Sequence, residues 1–152
     1  MTETRVPAII NALVTLLSAD PGLAGKVVDG PPVTNDPLNE AVFIGYDGNP
    51  EGDGQAAEST QEWAGIGQRK RDETVQITCA VVVWRGSTKV QPVRQRVYEL
   101  LGEVGEVLRA DPSLGLPPPT LAEMASGQLF QSQRQSGIEC RIPFVVAVKT
   151  RV

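Results

Sequence analysis

A long apolar strand followed by a long amphipathic helix, within residues 74–111, constrains the fold more than any other part of the sequence. In residues 74–84, every second position from Val75 onward is apolar and β-branched side chains dominate, which is typical of a strand with one buried face. Val82 and Trp84, in the alternate positions, are also apolar. We therefore expect the end of this strand to be covered on both faces.

The helix that follows has apolar residues at spacings of three and four over residues 90–108. Pro92 fits only in a first helical turn, so the helix is predicted to begin within residues 87–91. It is predicted to stop at Asp111, because the residue before a proline is pushed out of the α region. A strand and a helix of this length bury their apolar faces against each other.

The remaining elements are shorter. A first helix is predicted from a cap at Thr4 to a stop at Asp20-Pro21, with an apolar stripe between them. Further strands are predicted at residues 26–29, 41–46, 61–67, 121–133 and 138–149. Pro143 cannot donate to a sheet ladder, so the last strand is expected at an edge or bulged there.

This order, α-β-β-β-β-α-β-β, predicts an α+β fold. We expect a mainly antiparallel or mixed sheet of five to six strands, with two helices packed on it. At 152 residues, the chain is expected to form one domain over residues 1–152.

Composition excludes several classes of function. The sequence contains no His, the commonest general base and metal ligand, and no nucleophile or phosphate-loop motif. Aromatic residues at 5% and a net charge of −4 argue against a nucleic-acid-binding platform. Cys79 and Cys140, on the apolar sides of predicted strands, are expected to be buried reduced thiols, with a disulfide between them as the alternative that nothing requires. No enzymatic activity and no cofactor are predicted.

The start of the chain has no apolar segment behind a basic stretch, and no apolar run approaches the length of a membrane span. We expect a protein made in a cytoplasm, without a signal peptide.

An acidic, glycine-rich segment at residues 47–58 is the one candidate for a metal site. Asp47, Asn49, Glu51 and Glu58 fall at the first, third, fifth and twelfth positions of a calcium-loop spacing. The segments on both sides are predicted to be strands rather than the helices that flank a calcium loop. The high content of Gly and Pro predicts a mobile hairpin loop between them. We interpret residues 47–60 as a flexible solvated loop, with cation binding as the alternative.

A basic turn, Arg69-Lys70-Arg71, precedes the central strand. Three cations followed at once by acidic residues are too few for a phosphate-binding patch, which favours a solvated turn or a salt-bridging contact between subunits. The acidic residues Asp53 and Glu58 are the candidates for the opposite side of such a contact.

The sequence resembles the phage tail terminators, the small head-proximal proteins of non-contractile-tailed siphoviruses of actinobacteria. The matching parts, in order, are a first helix ending in Asp20-Pro-Gly-Leu, a Val42-Phe-Ile-Gly strand, a strand at residues 73–84, a helix at residues 93–114 that ends in Asp-Pro-Ser-Leu, and a closing strand at residues 137–146. Their order and spacing carry the resemblance, because none of these motifs is specific alone.

The resemblance implies a structural virion protein assembled in the host cytoplasm. Its copies would form a ring, usually hexameric, that caps the tail tube and stops its polymerisation. The implied partners are the major tail tube protein and the head–tail connector or stopper protein, with genome DNA passing through the lumen. The family has no motif that assigns interface residues.

Other classes of protein stay open at this point. One is another neck protein, such as a head completion, stopper or tail completion protein. The others are a small enzyme with a cation site at residues 47–58 and an oligomeric binding module.

Overall fold

The computed structural model describes residues 3–32, 39–67, 69–134 and 136–152. In this part of the chain, two helices and seven strands follow one another. They are α1 Val6–Ser18, β1 Val27–Asp29, β2 Glu40–Ile44, β3 Ala57–Trp63, β4 Arg71–Arg85, α2 Val90–Ala110, β5 Leu121–Gly127, β6 Phe130–Arg134 and β7 Gly137–Arg151. The α+β class is confirmed.

The centre of the sheet is the antiparallel pair β4 and β7, which runs from Asp72 opposite Arg151 to Arg85 opposite Ile138. The outer side of β4 pairs with β2 and β3, and the outer side of β7 pairs with β5 and β6, all antiparallel. β1 adds to β2 in parallel, which makes the sheet mixed.

The sheet of the described residues has seven strands, more than the five to six predicted, because residues 121–133 form β5 and β6 rather than one strand. The break lies beside Pro143. β5 pairs with β7 up to Phe144, β6 resumes the pairing at Arg141, and the Gln128 N–H donates to the Pro143 carbonyl over 3.2 Å. The carbonyl and nitrogen of one strand residue point to the same side, so the missing N–H of Pro143 faces this interruption. Of the two alternatives predicted for the last strand, the edge position is wrong, because β7 pairs with β4 on one side and with β5 and β6 on the other. The irregularity expected at Pro143 is an interruption between the two partner strands β5 and β6.

Both helices pack on one face of the sheet. Alternate residues of β4 face them and are fully buried, as predicted: Val75, Ile77, Cys79, Val81 and Val83. The same core contains residues of α1, including Leu13, and residues of α2, including Leu100. No helix in the described ranges combines the length and apolar character needed to span a membrane.

The opposite face of the sheet, called the back face below, has a smaller apolar cluster. Ala41, Phe43 and Ala80 are buried there, and Tyr46 and Val82 pack against them. This second layer explains why β2 is almost continuously apolar: its alternate residues, Val42 and Ile44, join the core under the helices.

β2 and β3 are not the two arms of a hairpin. They run in the same direction, end to end, along one side of β4. Ile44 pairs with Cys79 and Ala57 pairs with Ile77, so residues 45–56 leave and rejoin the sheet opposite the single residue Thr78. Residues 45–56 are called the acidic excursion below. The hairpin prediction for this segment is wrong, and residues 57–60, assigned to the loop, belong to β3.

Candidate functional site

The turn between β3 and β4 exposes two large apolar side chains. Trp63 is 68% exposed and Ile66 is fully exposed, and together with Gly65 and Gly67 they line an open groove of about 470 Å³. Gly67 has a φ of +79°, a left-handed conformation that residues with a side chain rarely adopt. Leaving a Trp or an Ile in water forgoes about 1.5–3 kcal/mol of burial for each side chain. Burial of this turn by another molecule would therefore be favourable in free energy.

Two of the three predicted basic residues accompany these apolar side chains. Arg69 and Lys70 are exposed beside them, and the Lys70 carbonyl accepts a hydrogen bond from Ala64 over 3.0 Å. Residues 63–67, Arg69 and Lys70 are called the hairpin tip below. It combines an apolar surface with two positive charges.

Arg71, the third predicted basic residue, belongs to the body of the domain instead. It is the first residue of β4, its side chain bonds Glu3 over 3.2 Å, and its backbone exchanges hydrogen bonds with Val152. Arg71 is thus engaged within its own chain.

In the acidic excursion, side-chain oxygens bond the local backbone. Asp47 accepts from the N–H of Asn49 over 2.9 Å, Asn49 accepts from Glu51 over 3.0 Å, and Asp53 accepts from Gln55 over 3.0 Å. These are Asx turns, in which the side-chain oxygen of an Asp or Asn accepts a hydrogen bond from the backbone N–H two residues later in the chain. The excursion is built from a series of such turns.

The structure does not bring the proposed cation ligands together. Glu58 lies on β3 opposite Gln76, beyond the end of the excursion. Among the described residues, no three Asp, Glu or Cys side chains form a group that could hold a metal ion. Asp47, Asn49 and Glu51 remain a turn-forming series rather than a ligand set.

The start of the excursion packs on the back face. The Arg141 guanidinium donates to the Asp47 carbonyl over 2.7 Å and lies 4.6 Å from the centre of the Phe130 ring, a cation–π contact. A Cβ added at Gly48 would lie 2.9 Å from Arg141 and 3.3 Å from Ala80, so only glycine fits there without a shift. Glu51 and Asp53, further along, are exposed.

The hairpin tip and the acidic excursion lie at opposite ends of β3. This strand has seven residues, which places the two segments roughly 20 Å apart. Arg69 and Lys70 therefore cannot pair with Glu51 or Asp53 of the same chain.

A carboxylate that the sequence analysis did not single out organises the other end of the sheet. The Glu40 carboxylate on β2 forms salt bridges with Arg96 of α2, with Arg85 of β4, and with Lys26 over 3.3 Å. Hydrogen bonds from Arg96, opposed by burial and helped by Arg85 and Lys26, hold the pKa of Glu40 at about 2. Arg96 therefore links α2 to the sheet, although its side chain is also partly exposed to solvent.

A second such carboxylate is Glu73, which is 1% exposed. The Arg5 backbone N–H donates to it over 2.7 Å, the Gln61 amide over 3.1 Å, and the Thr4 hydroxyl also donates to it. Thr4 in turn accepts from the Val6 N–H over 3.2 Å. The prediction that Thr4 caps the first helix is wrong, because the N-cap of α1 is Arg5 and no side chain caps it. Thr4 instead ties the start of the chain to β4 through Glu73.

Both cysteines are free and buried, as expected. Burial raises the pKa of the Cys79 thiol to about 12 and also raises that of Cys140. A high pKa leaves little thiolate at neutral pH, so neither is a reactive nucleophile.

Comparison of the sequence with known proteins gave no matching family model and no matching curated relative.

Proposed function

We propose that this protein is a phage tail terminator. Its copies close into a ring at the head-proximal end of the tail, stop polymerisation of the tail tube, and offer a surface to the connector or stopper protein of the head. The ring is hexameric, the genome passes through its lumen, and the protein itself performs no chemistry. Assembly takes place in the host cytoplasm, and the mature location is the virion.

One observation carries the assembly part of this proposal. The hairpin tip holds Trp63 and Ile66 in water although the same chain buries a large core elsewhere. Surfaces of this kind mark sites of protein–protein contact. Enrichment of Trp at the energetic centres of interfaces supports the same interpretation.

The arrangement of the domain supports a ring rather than a two-fold dimer. The exposed tip and the exposed acidic segment are different surfaces, about one strand length apart. Contact between two different surfaces is heterologous, and a heterologous contact repeats from copy to copy until the ring closes. A closed ring uses each contact once, so it can end a tube that otherwise grows by stacking.

The tail-terminator assignment rests on the sequence resemblance, whose parts all belong to the framework of the fold. The first helix corresponds to α1, the apolar strand to β2, and the long strand and helix to β4 and α2. The closing strand corresponds to β7, the partner of β4 over its full length. A net charge of −4 suits a protein whose specific contacts are with other proteins.

The test is a tube-growth assay. Tail tube protein of the same phage is polymerised with and without the purified protein, and the products are imaged by negative stain. We expect rings at one end of each tube and tubes that stop growing. Tubes that keep growing with bare ends, at protein concentrations above that of tube ends, would contradict the proposal.

A further inference from the structure

We propose that the hairpin tip of one copy docks on the back face of the next copy, beside that copy's acidic excursion. The inference rests on the proposed ring and names the contact that would build it. The molecule that occupies the back face is a second copy of this chain. The two surfaces that meet in the contact belong to different parts of the fold.

The inserting side is the hairpin tip. Trp63 and Ile66 are its exposed apolar side chains, and Arg69 and Lys70 are its exposed cations. Because Arg71 is engaged by Glu3 at 3.2 Å, the charge that the tip offers to a partner comes from Arg69 and Lys70. A large aromatic group with adjacent positive charge is a common anchor at protein interfaces.

The receiving side is a concavity of about 250 Å³ between β4, β7 and the end of β5. Thr78, Gly127, Pro143 and Val145 are among the residues that line it. One water molecule occupies roughly 30 Å³ in the liquid, so the concavity has room for several waters or for one large side chain. Among the described residues, the lining contains no charged residue: Pro143, Phe144 and Val145 supply apolar surface for an aromatic ring, and Thr78, Ser126 and Gln128 supply polar atoms. Such a mixed lining suits a Trp, whose ring is apolar and whose N–H needs a hydrogen-bond partner when buried.

Thr78 joins this concavity to the acidic excursion. It lines the concavity, and its carbonyl accepts from the N–H groups of Gly45 and Tyr46 over 2.7 and 3.0 Å, while its own N–H donates to Ala56 over 2.9 Å. The excursion therefore starts and ends at the rim of the concavity.

The charges on the two sides are opposite. The excursion contains Asp47, Glu51 and Asp53 and no basic residue, and Glu51 and Asp53 are exposed. An aromatic anchor in the concavity would place Arg69 and Lys70 near these carboxylates. Charge complementarity of this kind steers docking and fixes the register of the contact.

The experiment measures the protein concentration at which half of the tube ends carry a ring. Trp63→Ala and the double variant Arg69→Glu/Lys70→Glu are each expected to raise this concentration at least tenfold. The effect of the charge reversal should grow at low salt, where repulsion is least screened. Tyr98→Ala is the matched control, because Tyr98 is an aromatic residue 48% exposed on α2, away from both surfaces.

A charge swap between copies tests the partner directly. The double variant Glu51→Lys/Asp53→Lys is also expected to fail alone, because its basic excursion faces a basic tip. An equal mixture of the tip-reversed and excursion-reversed proteins should restore capping, since alternating copies satisfy every contact. Thermal unfolding of each variant confirms that the domain is folded.

The outcomes separate the two proposals. If the wild type caps tubes and the tip variants cap them at the same concentration, the contact is wrong and the terminator function stands. Failure of the mixture to restore capping also overturns the contact, because the tip then meets something other than the excursion. If the wild type caps no tubes, the terminator function falls and this contact with it.

Discussion

Arg96 on α2 donates one hydrogen bond to each carboxylate oxygen of Glu40 on β2, from Nε over 2.8 Å and from Nη2 over 3.0 Å. The planar guanidinium matches the carboxylate in this two-bond geometry, which is stronger and more directional than a single ion pair. The contact fixes the first half of α2 against β2 at the start of that strand. Arg85 and Lys26 complete the set of cations around the same carboxylate.

Removing the charge of Glu40 should destabilise the domain. We expect Glu40→Gln to lower the free energy of unfolding by about 1–3 kcal/mol, because hydrogen bonds to a charged group are lost and three cations are left without their shared anion. Glu99→Gln is the matched control. Glu99 also bonds Arg96, over 3.2 Å, but its side chain is 51% exposed, so we expect a loss below about 0.5 kcal/mol. Urea unfolding measures both, and equal losses would contradict the role of Glu40.

The same carboxylate predicts a dependence of stability on pH. Its pKa is lowered from 4.5 to about 2 in the folded protein, so the unfolded chain takes up its proton first as pH falls. The stabilisation is therefore complete above pH 4.5 and is lost as pH falls toward about 2. The difference in unfolding free energy between wild type and Glu40→Gln should shrink across this window. A difference that stays constant from neutral pH to the lower limit would contradict the assignment.

Leu100 tests how α2 faces the sheet. It is 1% exposed in the core between helix and sheet, as the helical spacing predicted. Leu100→Ala should cost about 2–5 kcal/mol, because the missing methyl groups leave a cavity. Leu121→Ala makes the same chemical change at a side chain 63% exposed and should cost less than about 0.5 kcal/mol. Similar losses for the two variants, measured by urea unfolding, would show that the assigned helix face is wrong.

The burial of Glu73 could be predicted from the sequence. Glu73 is two positions before Val75, so the alternation that predicts buried residues in β4 extends to it. A Glu is seldom fully buried without partners, and its partners here, Thr4 and Gln61, lie 69 and 12 residues away in the chain. Periodicity gives the face of a residue, but it does not identify distant donors.

The acidic excursion shows why local sequence patterns did not predict the path of the chain at the candidate site. Acidic residues with Gly and Pro between two strands are typical of a hairpin loop, and nothing local indicates that both strands lie along the same side of β4. Residues 121–133 posed the same problem, because the break between β5 and β6 depends on Pro143 in another strand. The long elements β4, α2 and β7 were predictable because each has its own period.

The excursion should tolerate shortening. Gly52–Gly54 lie outside the part anchored by Arg141 at the Asp47 carbonyl, so their deletion should leave the fold and the melting temperature nearly unchanged. Circular dichroism measures this. A large drop in melting temperature would show that the outer turns support the sheet.

Calcium should have no effect on the protein. The oxygens of Asp47 and Asn49 already bond backbone N–H groups, and Glu58 lies on β3 rather than at the excursion. We expect a calorimetric titration with calcium to show no binding at micromolar concentrations. Micromolar binding that is lost in Asp47→Asn would restore the cation-site interpretation.

Deletion of the gene tests the proposed terminator function most directly. The phage or prophage that carries it is grown without the gene, and the lysate is imaged by negative stain. We predict overlong tails that are not attached to the filled heads, and the gene supplied in trans should restore normal particles. Tails of normal length joined to heads in the deletion lysate would contradict the terminator function.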